Sequence, residues 1–251
     1  MVMKSSPNHP PVFTNHPTLI DRTGVVSEPS DYSGHRQRLR DRFLKAGGDA
    51  LADYEMLELL LFQAQPRRDM KPLAKSLMKR FGTYADVISA SPAELAEVDG
   101  VGDAVIAVLK TVQESAQRLI RDEIMDKPVL SNWQRLMDYC RSSMARNKIE
   151  SFRVLFLNHR NELIADEQQQ TGTVDHTPVY PREVIKRALE LHASAMIMVH
   201  NHPSGDPAPS KADIAMTKEV RDAAEKLGIS LHDHLIVSKS GNTSFKDLGI
   251  L

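Results

Sequence analysis

Residues Ser194 to Asp213 read SAMIMVHNHPSGDPAPSKAD and join a strand pattern, a polar loop and a helix start. The apolar run that ends at His200 is typical of a buried strand. The next segment is rich in Pro, Gly and Ser, and its three prolines restrict the backbone. Asp213 stands where a helical pattern begins. This stretch is therefore interpreted either as a metal site or as a polar loop closed by a helix cap.

Two histidines separated by one residue at a strand end can bind a single metal ion. Side chains alternate along a strand, so His200 and His202 are expected on the same side. A catalytic zinc site takes three protein ligands and leaves one position for water, and Asp213 is placed to be the third ligand. The alternative is that Ser210 and Asp213 only cap the helix, since Ser-x-x-Asp is a variant of the capping box.

The surrounding elements alternate between strand and helix patterns. The runs FRVLFLN (152–158), ELIADEQ (162–168) and ISLHDHLIVS (229–238) are typical of strands, and PREVIKRALELH (181–192) and DIAMTKEVRDAAEKLG (213–228) of helices. A sheet covered by helices satisfies such a pattern. We therefore expect an α/β (α+β) domain with a mixed sheet over residues 127–251.

The preceding part of the chain has the spacing of short helices. Five helical segments fit between His35 and Lys127, and one of them opens with a predicted capping box formed by Ser91 and Glu94. We expect a small all-α domain over residues 34–126. Residues 1–33 are rich in Pro, Ser, Thr and Asn, cannot bury enough apolar surface to fold, and are predicted to be a flexible tail.

Composition restricts the classes of protein that fit. The 251 residues are 41% hydrophobic and 26% charged, with a net charge of −1, so the whole chain has no electrostatic attraction for nucleic acid or acidic membranes. No apolar run approaches the roughly 18 residues that span a bilayer, and no secretory signal is recognisable. The single cysteine, Cys140, excludes an intrachain disulfide and is interpreted as a packed helix residue. We expect a cytoplasmic protein.

The string HNHPSGDPAPSKAD has the pattern His-x-His, seven residues, Ser, two residues, Asp, and resembles the JAB1/MPN/JAMM metalloprotease superfamily. HNHPSGDP resembles the RadC family in particular. GTVDHTPVYPREVIKRALELHASAMIMVHNHPSG, DHLIV, LELLLFQ, KRFG and DGVGDA extend this resemblance over residues 35–251. It implies a JAMM/MPN domain after a helix-hairpin-helix domain, and a zinc-dependent metallohydrolase of peptide or isopeptide bonds with one Zn²⁺ per chain.

The resemblance also implies roles for single residues. His200, His202 and Asp213 become the metal ligands, and Ser210 corresponds to the serine that stabilises the oxyanion. Glu150 stands where RadC-like sequences carry an acidic residue, and we predict that it is the general base; otherwise it is a solvated glutamate before a strand. Glu183 is the second choice for the base, although a helix dipole also favours an acid in a first turn.

A second His-x-His pair, His232 and His234, lacks an acidic residue at ligand spacing. We interpret His234 and Asp233 as structural residues or supports of the ligands rather than as ligands.

The helical half raises the alternative of a DNA-associated repair or recombination protein whose metal site is structural or vestigial. The turn VDGVG (98–102) resembles the hairpin of a helix-hairpin-helix module, in which Gly100 and Gly102 would let backbone N–H groups approach a phosphate. Residues 35–127 contain fifteen Lys/Arg and fifteen Asp/Glu, and Asp99 and Asp103 flank the hairpin. The run from His35 to Lys45 holds five basic residues against one aspartate. We therefore expect at most weak, non-specific DNA binding, a protein or peptide as the main partner, and no membrane.

Overall fold

The computed structural model describes residues 31–125, 127–171 and 179–251. The chain divides into two compact units, residues 1–50 and 51–251. The described part of the first unit holds helix α1 (Asp31–Ala46) and a 3-10 turn (Gly48–Ala50). The predicted tail lies outside the described residues as far as residue 30. The same is true of residue 126, where the predicted domain boundary falls, and of most of the GTVDHTPV segment.

A series of helices opens the second unit. They are α2 (Asp53–Ala64), α3 (Lys71–Phe81), α4 (Tyr84–Ser89), α5 (Pro92–Ala96) and α6 (Asp103–Asp122). The predicted capping box is confirmed, because the Ser91 hydroxyl accepts from the Glu94 N–H and the Glu94 carboxylate accepts from the Ser91 N–H. The sequence did not predict α4, which has only six residues, too few for a periodic apolar pattern.

The remaining elements build a sheet with helices on both faces. They are α7 (Trp133–Met144), β1 (Ser151–Leu157), β2 (Leu163–Thr171), α8 (Pro181–Glu190), β3 (Ala195–Asn201), α9 (Lys211–Glu225), β4 (Ser230–Val237) and β5 (Asn242–Ser244). The strand order is β2-β1-β3-β4-β5. The β3–β4 pair is parallel and the other pairs are antiparallel, so the predicted mixed sheet is confirmed.

Apolar side chains cover both faces of the sheet. Ile197 and Val199 of β3 belong to a core shared with α7, whereas Met196 and Met198 belong to a core shared with α8 and α9. Because both faces are buried, β3 is a continuous apolar run rather than an alternating one. Its buried polar residues, His200 and Asn201, are therefore exceptions that require a reason.

The crossover from β3 through α9 to β4 determines where polar groups can meet. Parallel strands need such a connection, and α9 provides it. The start of α9 consequently lies beside the carboxyl end of β3, the edge at which open α/β sheets bind ligands.

Within the described residues, no helix is long and apolar enough to cross a membrane.

The buried carboxylate of Asp166 on β2 joins two elements on one face of the sheet. Arg153 Nε of β1 donates to its Oδ1 at 2.8 Å, and the hydroxyl of Tyr139 on α7 donates to Oδ2. The Asp166 side chain is fully buried and that of Arg153 is 23% exposed. This carboxylate therefore satisfies two polar groups that water reaches poorly.

We predict that Asp166→Ala lowers the free energy of unfolding by about 3 kcal/mol, because it leaves Arg153 charged and Tyr139 without an acceptor. The matched control is Glu114→Ala, which removes the exposed ion pair with Arg118 on α6 and should cost under about 1 kcal/mol. Urea unfolding of both variants measures the difference. Equal losses would contradict the role given to Asp166.

Candidate metal centre

His200 and His202 lie at the carboxyl end of β3. His200 is buried beneath the start of α9, while His202 follows the strand and is partly exposed. The His202 N–H donates to the carbonyl of Val237 at 3.0 Å, which continues the pairing with β4 past the end of the strand. The two rings lie on the same side, with centroids 4.8 Å apart and Nε2 atoms 2.9 Å apart. The predicted orientation of the two side chains is thus observed.

Asp213 is both a helix cap and a neighbour of the histidines. Its Oδ2 accepts from the Ser210 N–H at 2.7 Å, and its own N–H donates to the Ser210 hydroxyl at 3.1 Å. The same carboxylate has Oδ1 at 3.5 Å from His200 Nε2 and Oδ2 at 3.7 Å from His202 Nε2. The two interpretations of this stretch are therefore compatible, because the cap holds the carboxylate beside both rings.

The donor set fits a divalent metal ion. One donor atom from each of His200, His202 and Asp213 lies within 4.8 Å of the others. Ligand atoms of a tetrahedral zinc ion lie about 3.3 Å apart when the bonds are about 2.0–2.1 Å. The observed separations of 2.9, 3.5 and 3.7 Å surround that value, although the last two involve different carboxylate oxygens. Two imidazoles and one carboxylate are also the kind of ligand set that zinc uses in catalytic sites.

Burial and charge affect the three groups differently. Burial lowers the pKa of His200 to about 4, so this ring is neutral near pH 7. The neighbouring Asp213 carboxylate raises the pKa of His202, against the effect of its burial. Burial alone would raise the pKa of Asp213, but His202, His200 and Ser210 together lower it far below its usual range. The centre therefore combines an anionic carboxylate with one ring that stays neutral.

The loop after β3 holds His202 in place. His202 Nδ1 lies 2.7 Å from the carbonyl oxygen of Asp206, which can only accept, so Nδ1 carries the hydrogen and Nε2 faces the other two groups. The turn needs Gly205, whose φ is +92°. Its carbonyl accepts from the hydroxyls of Ser238 and Ser240, which follow β4. The loop is thus attached to the neighbouring strand as well as stiffened by prolines.

Glu150 lies immediately before β1, and the segment around it is attached to the end of β3. Asn201 is buried and lies between the two histidines in the sequence. Its side-chain oxygen accepts a hydrogen bond from the Ser151 N–H at 2.9 Å. Its amide nitrogen donates to the carbonyls of Asn147 and Ile149, both at 3.2 Å. The charge of Glu150 contributes to the raised pKa of His202, so the carboxylate acts electrostatically on the triad formed by His200, His202 and Asp213. The role of Asn201 was not predicted from the sequence.

Comparison with known proteins gives the family. A family model described as the RadC-like JAB domain matches residues 130–250, and one described as the UPF0758 N-terminal domain matches residues 33–107. A UPF0758 protein of Rhodobacter capsulatus is 60% identical over 213 residues, which cover 85% of this chain and all of the relative. The chain belongs to the RadC family. A UPF0758 protein of Ruegeria pomeroyi is 56% identical over 223 residues, 89% of this chain and all of that relative.

In this RadC-family chain, the two other candidate catalytic residues, Glu183 and Ser210, lie in different environments. Glu183 lies in the exposed first turn of α8, where its carboxylate pairs with Arg182 at 3.1 Å. Ser210 is exposed at the start of α9, and its hydroxyl oxygen accepts from Asp213. In the part of the chain that the structure describes, that hydroxyl hydrogen has no acceptor. Ser210 therefore stays adjacent to the triad, and Glu183 belongs to an ion pair on the helix surface.

The second His-x-His pair divides into two unrelated environments. His234 is fully buried, with Nε2 at 2.7 Å from His200 Nδ1. His232 Nε2 lies 2.6 Å from the side-chain oxygen of Asn161 in the β1–β2 turn. The Asp233 carboxylate accepts from the Ser244 hydroxyl and two backbone N–H groups, so it joins β4 to the segment that begins at β5. His234 thus touches a triad histidine directly.

The helical segment of the RadC-family chain contacts loops that flank the triad. Asp86 of α4 pairs with Lys239 after β4 at 2.9 Å and with Arg146 before β1 at 3.4 Å. Glu94 of α5 pairs with Lys148, two residues before Glu150. The hydrogen bond from Lys148 lowers the pKa of Glu94 to about 2. Helices α4 and α5 are therefore next to the segment that carries the predicted base.

The predicted hairpin is formed at residues 98–102. Gly100 has a φ of +84°, and the Val101 N–H donates to the carbonyl of Val98 at 3.0 Å. Gly102 precedes the first residue of α6, Asp103. The guanidinium of Arg68 lies beside Gly100, where a Cβ atom would come within 3.2 Å of it. The hairpin thus has one cation beside it and an acid in the first turn of the helix.

Proposed function

We propose that this RadC-family protein is a zinc-dependent hydrolase of peptide or isopeptide bonds, with one Zn²⁺ per chain. The observation that carries the proposal is the convergence of two imidazole nitrogens and one carboxylate at the carboxyl end of β3. The electrostatic effect of Glu150 on His202 supports it, since hydrolysis needs a base as well as a metal. The JAB-domain match supports the same reaction class by analogy.

In this proposal His200, His202 and Asp213 hold the zinc. Zinc in such a site acts as a Lewis acid and lowers the pKa of a coordinated water to about 7. Glu150 takes a proton from the attacking water and returns it to the leaving amine. Ser210 donates its hydroxyl hydrogen to the oxyanion that develops from the carbonyl, because its oxygen already accepts from the Asp213 N–H.

The helical segment is proposed to select the substrate. Asp86 and Glu94 contact the loops on either side of the triad, so α4 and α5 border the space that a substrate must enter. A protein or peptide partner fits this arrangement, since a docking element near the metal can present one bond out of many. With a single buried cysteine, a reducing cytoplasm is the compartment we propose.

The first prediction concerns the metal. We expect one zinc ion per chain, lost in the double variant His200→Ala, His202→Ala. Bound ligands must be deprotonated, and the pKa of His202 is raised whereas that of His200 is about 4. As the pH falls through the raised pKa of His202, affinity should decrease about tenfold per pH unit, with one competing proton until about pH 4.

Elemental analysis gives the stoichiometry, and competition with a chromophoric chelator between pH 5 and 8 gives the slope. Circular dichroism of the double variant controls for folding. Zinc retained by a folded double variant, or a slope of two protons over this range, would refute the assignment.

The second prediction concerns the base. Glu150→Gln keeps the shape of the side chain but cannot take a proton, so hydrolysis should fall at least ~10²-fold while zinc stays bound. The matched control is Glu183→Gln, which removes an exposed partner of Arg182 and should keep full activity. Since the substrate is a protein or peptide, a defined peptide library analysed by mass spectrometry for new termini serves as the assay.

The opposite result, an active Glu150→Gln and an inactive Glu183→Gln, would show that the wrong carboxylate was chosen. Cleavage that persists in the zinc-free double variant would contradict a metal-dependent reaction.

A DNA-associated binding role is the second candidate, and the observation that favours it is Arg68 beside the hairpin glycine. Helix α1, in the other unit, carries four arginines, and Asp103 in the first turn of α6 opposes an anion at the hairpin. Any contacts would be to phosphates and would carry no sequence information. We therefore propose only weak binding, on the order of 10⁻⁴–10⁻⁶ M at physiological salt.

The third prediction separates the two candidates. A labelled duplex and a forked DNA are titrated at two salt concentrations with the wild type and with a variant in which Arg36, Arg38, Arg40 and Arg42 are changed to Gln. Weak binding should decrease steeply with salt, because counterions are released. Tight, structure-selective binding that the variant loses would make DNA the working partner instead of a peptide.

A further inference from the structure

A chain of three hydrogen bonds connects His200 to helix α9. The Thr217 hydroxyl lies 2.5 Å from the carbonyl oxygen of Asp213, one turn earlier in the helix, and 2.6 Å from His234 Nδ1. His234 Nε2 lies 2.7 Å from His200 Nδ1. Thr217, His234 and His200 are all buried. We name Thr217 and His234 together the relay.

The direction of each hydrogen bond follows from the group at its end. A carbonyl oxygen only accepts, so Thr217 donates its one hydrogen to Asp213 and must accept from His234. His234 Nδ1 therefore carries a hydrogen, and its Nε2 is the acceptor in the neutral ring. His200 consequently donates from Nδ1, which leaves a lone pair on its Nε2.

We propose that Thr217 and His234 are positioning residues that hold His200 in the Nδ1–H form, so that its Nε2 lone pair faces His202 and Asp213 before any metal binds. The effect on zinc binding rests on the proposed function. The form of the His200 ring does not, because it is a property of the metal-free protein.

Packing around His234 keeps the relay in one arrangement. The ring of Phe245 lies 4.5 Å from the His234 ring, and Phe152 packs against its edge at 5.7 Å. Rotating the imidazole by half a turn would place carbon atoms opposite His200 Nδ1 and the Thr217 hydroxyl. That loss of two buried hydrogen bonds would be costly, because water does not reach this position to replace them.

Both triad histidines are thus oriented by a backbone carbonyl. His202 reaches the carbonyl of Asp206 directly, whereas His200 reaches that of Asp213 through two side chains. In this arrangement the two Nε2 atoms, each with a lone pair, lie 2.9 Å apart. Two nitrogen lone pairs repel each other at that separation unless a proton or a cation lies between them. The relay therefore places the two nitrogens in an arrangement that favours binding of a cation.

Thr217→Val and Thr217→Ser form a matched test. Valine keeps the shape of the side chain but removes the hydroxyl, while serine retains the hydroxyl. Without an acceptor at Nδ1, His234 is expected to carry its hydrogen on Nε2 and donate it to His200. His200 must then carry its own hydrogen on Nε2, where a metal would bind. Long-range ¹H–¹⁵N correlation spectra of the metal-free, histidine-labelled full chain distinguish the two forms, with signals assigned through single histidine substitutions.

We expect the wild type and Thr217→Ser to show His200 in the Nδ1–H form and Thr217→Val to show the Nε2–H form. Zinc affinity, measured by chelator competition, should fall about 10–100-fold in Thr217→Val and recover in Thr217→Ser. A second pair decides the matter if Thr217→Val fails to fold. His234→Gln supplies an oxygen that can accept from His200 and should keep its form, whereas His234→Leu should not.

An Nε2–H form of His200 in the wild type, or the same form in the wild type and Thr217→Val, would overturn the inference. Equal loss of zinc in Thr217→Val and Thr217→Ser would also overturn it, because it would indicate a packing effect. A wild type that binds no zinc would overturn the proposed function, while the spectra would still decide the form of His200.

Discussion

Asp213 uses one carboxylate to cap α9 and to face two histidine rings, and this double use determines the geometry of the metal centre. A cap places a side chain within the first turn of a helix, where position varies little. The crossover from β3 to β4 brings that turn to the carboxyl end of β3. Asp213 and the two histidines therefore meet because of the topology, and the loop between β3 and α9 orients His202.

Solvent exposure increases across the site, from a buried side to an accessible side. His200 and the relay lie inside, packed by aromatic rings, whereas His202 and Ser210 are accessible. The inner ring is kept neutral by burial and the outer ring is influenced by two carboxylates. Such a gradient leaves one side of the three groups buried and the other side open to solvent, which is the arrangement that the proposed zinc site needs.

Much of this arrangement could be predicted from short-range patterns. His200, His202 and Asp213 lie within fourteen residues, and strand alternation and helix capping are local rules that relate them. The relay could not be predicted in this way. His200 and His234 meet only through the pairing of β3 with β4, and Thr217 meets His234 only through the packing of α9 against β4. The contacts that α4 and α5 make with the loops beside the triad could not be predicted from the sequence either. Asp86 and Lys239 are 153 residues apart, and neither stands in a pattern that distinguishes it from a solvated surface charge.

Asn201 has a consequence for motion. Its side chain bonds to the backbone on both sides of Glu150, through the Ile149 carbonyl and the Ser151 N–H, while its own backbone lies between the two histidines. Thermal displacements of the strand end and of the Glu150 segment are therefore correlated. The distance between Glu150 and the two histidines should therefore fluctuate less than the position of either group, so the strand end and the Glu150 segment can move as a unit.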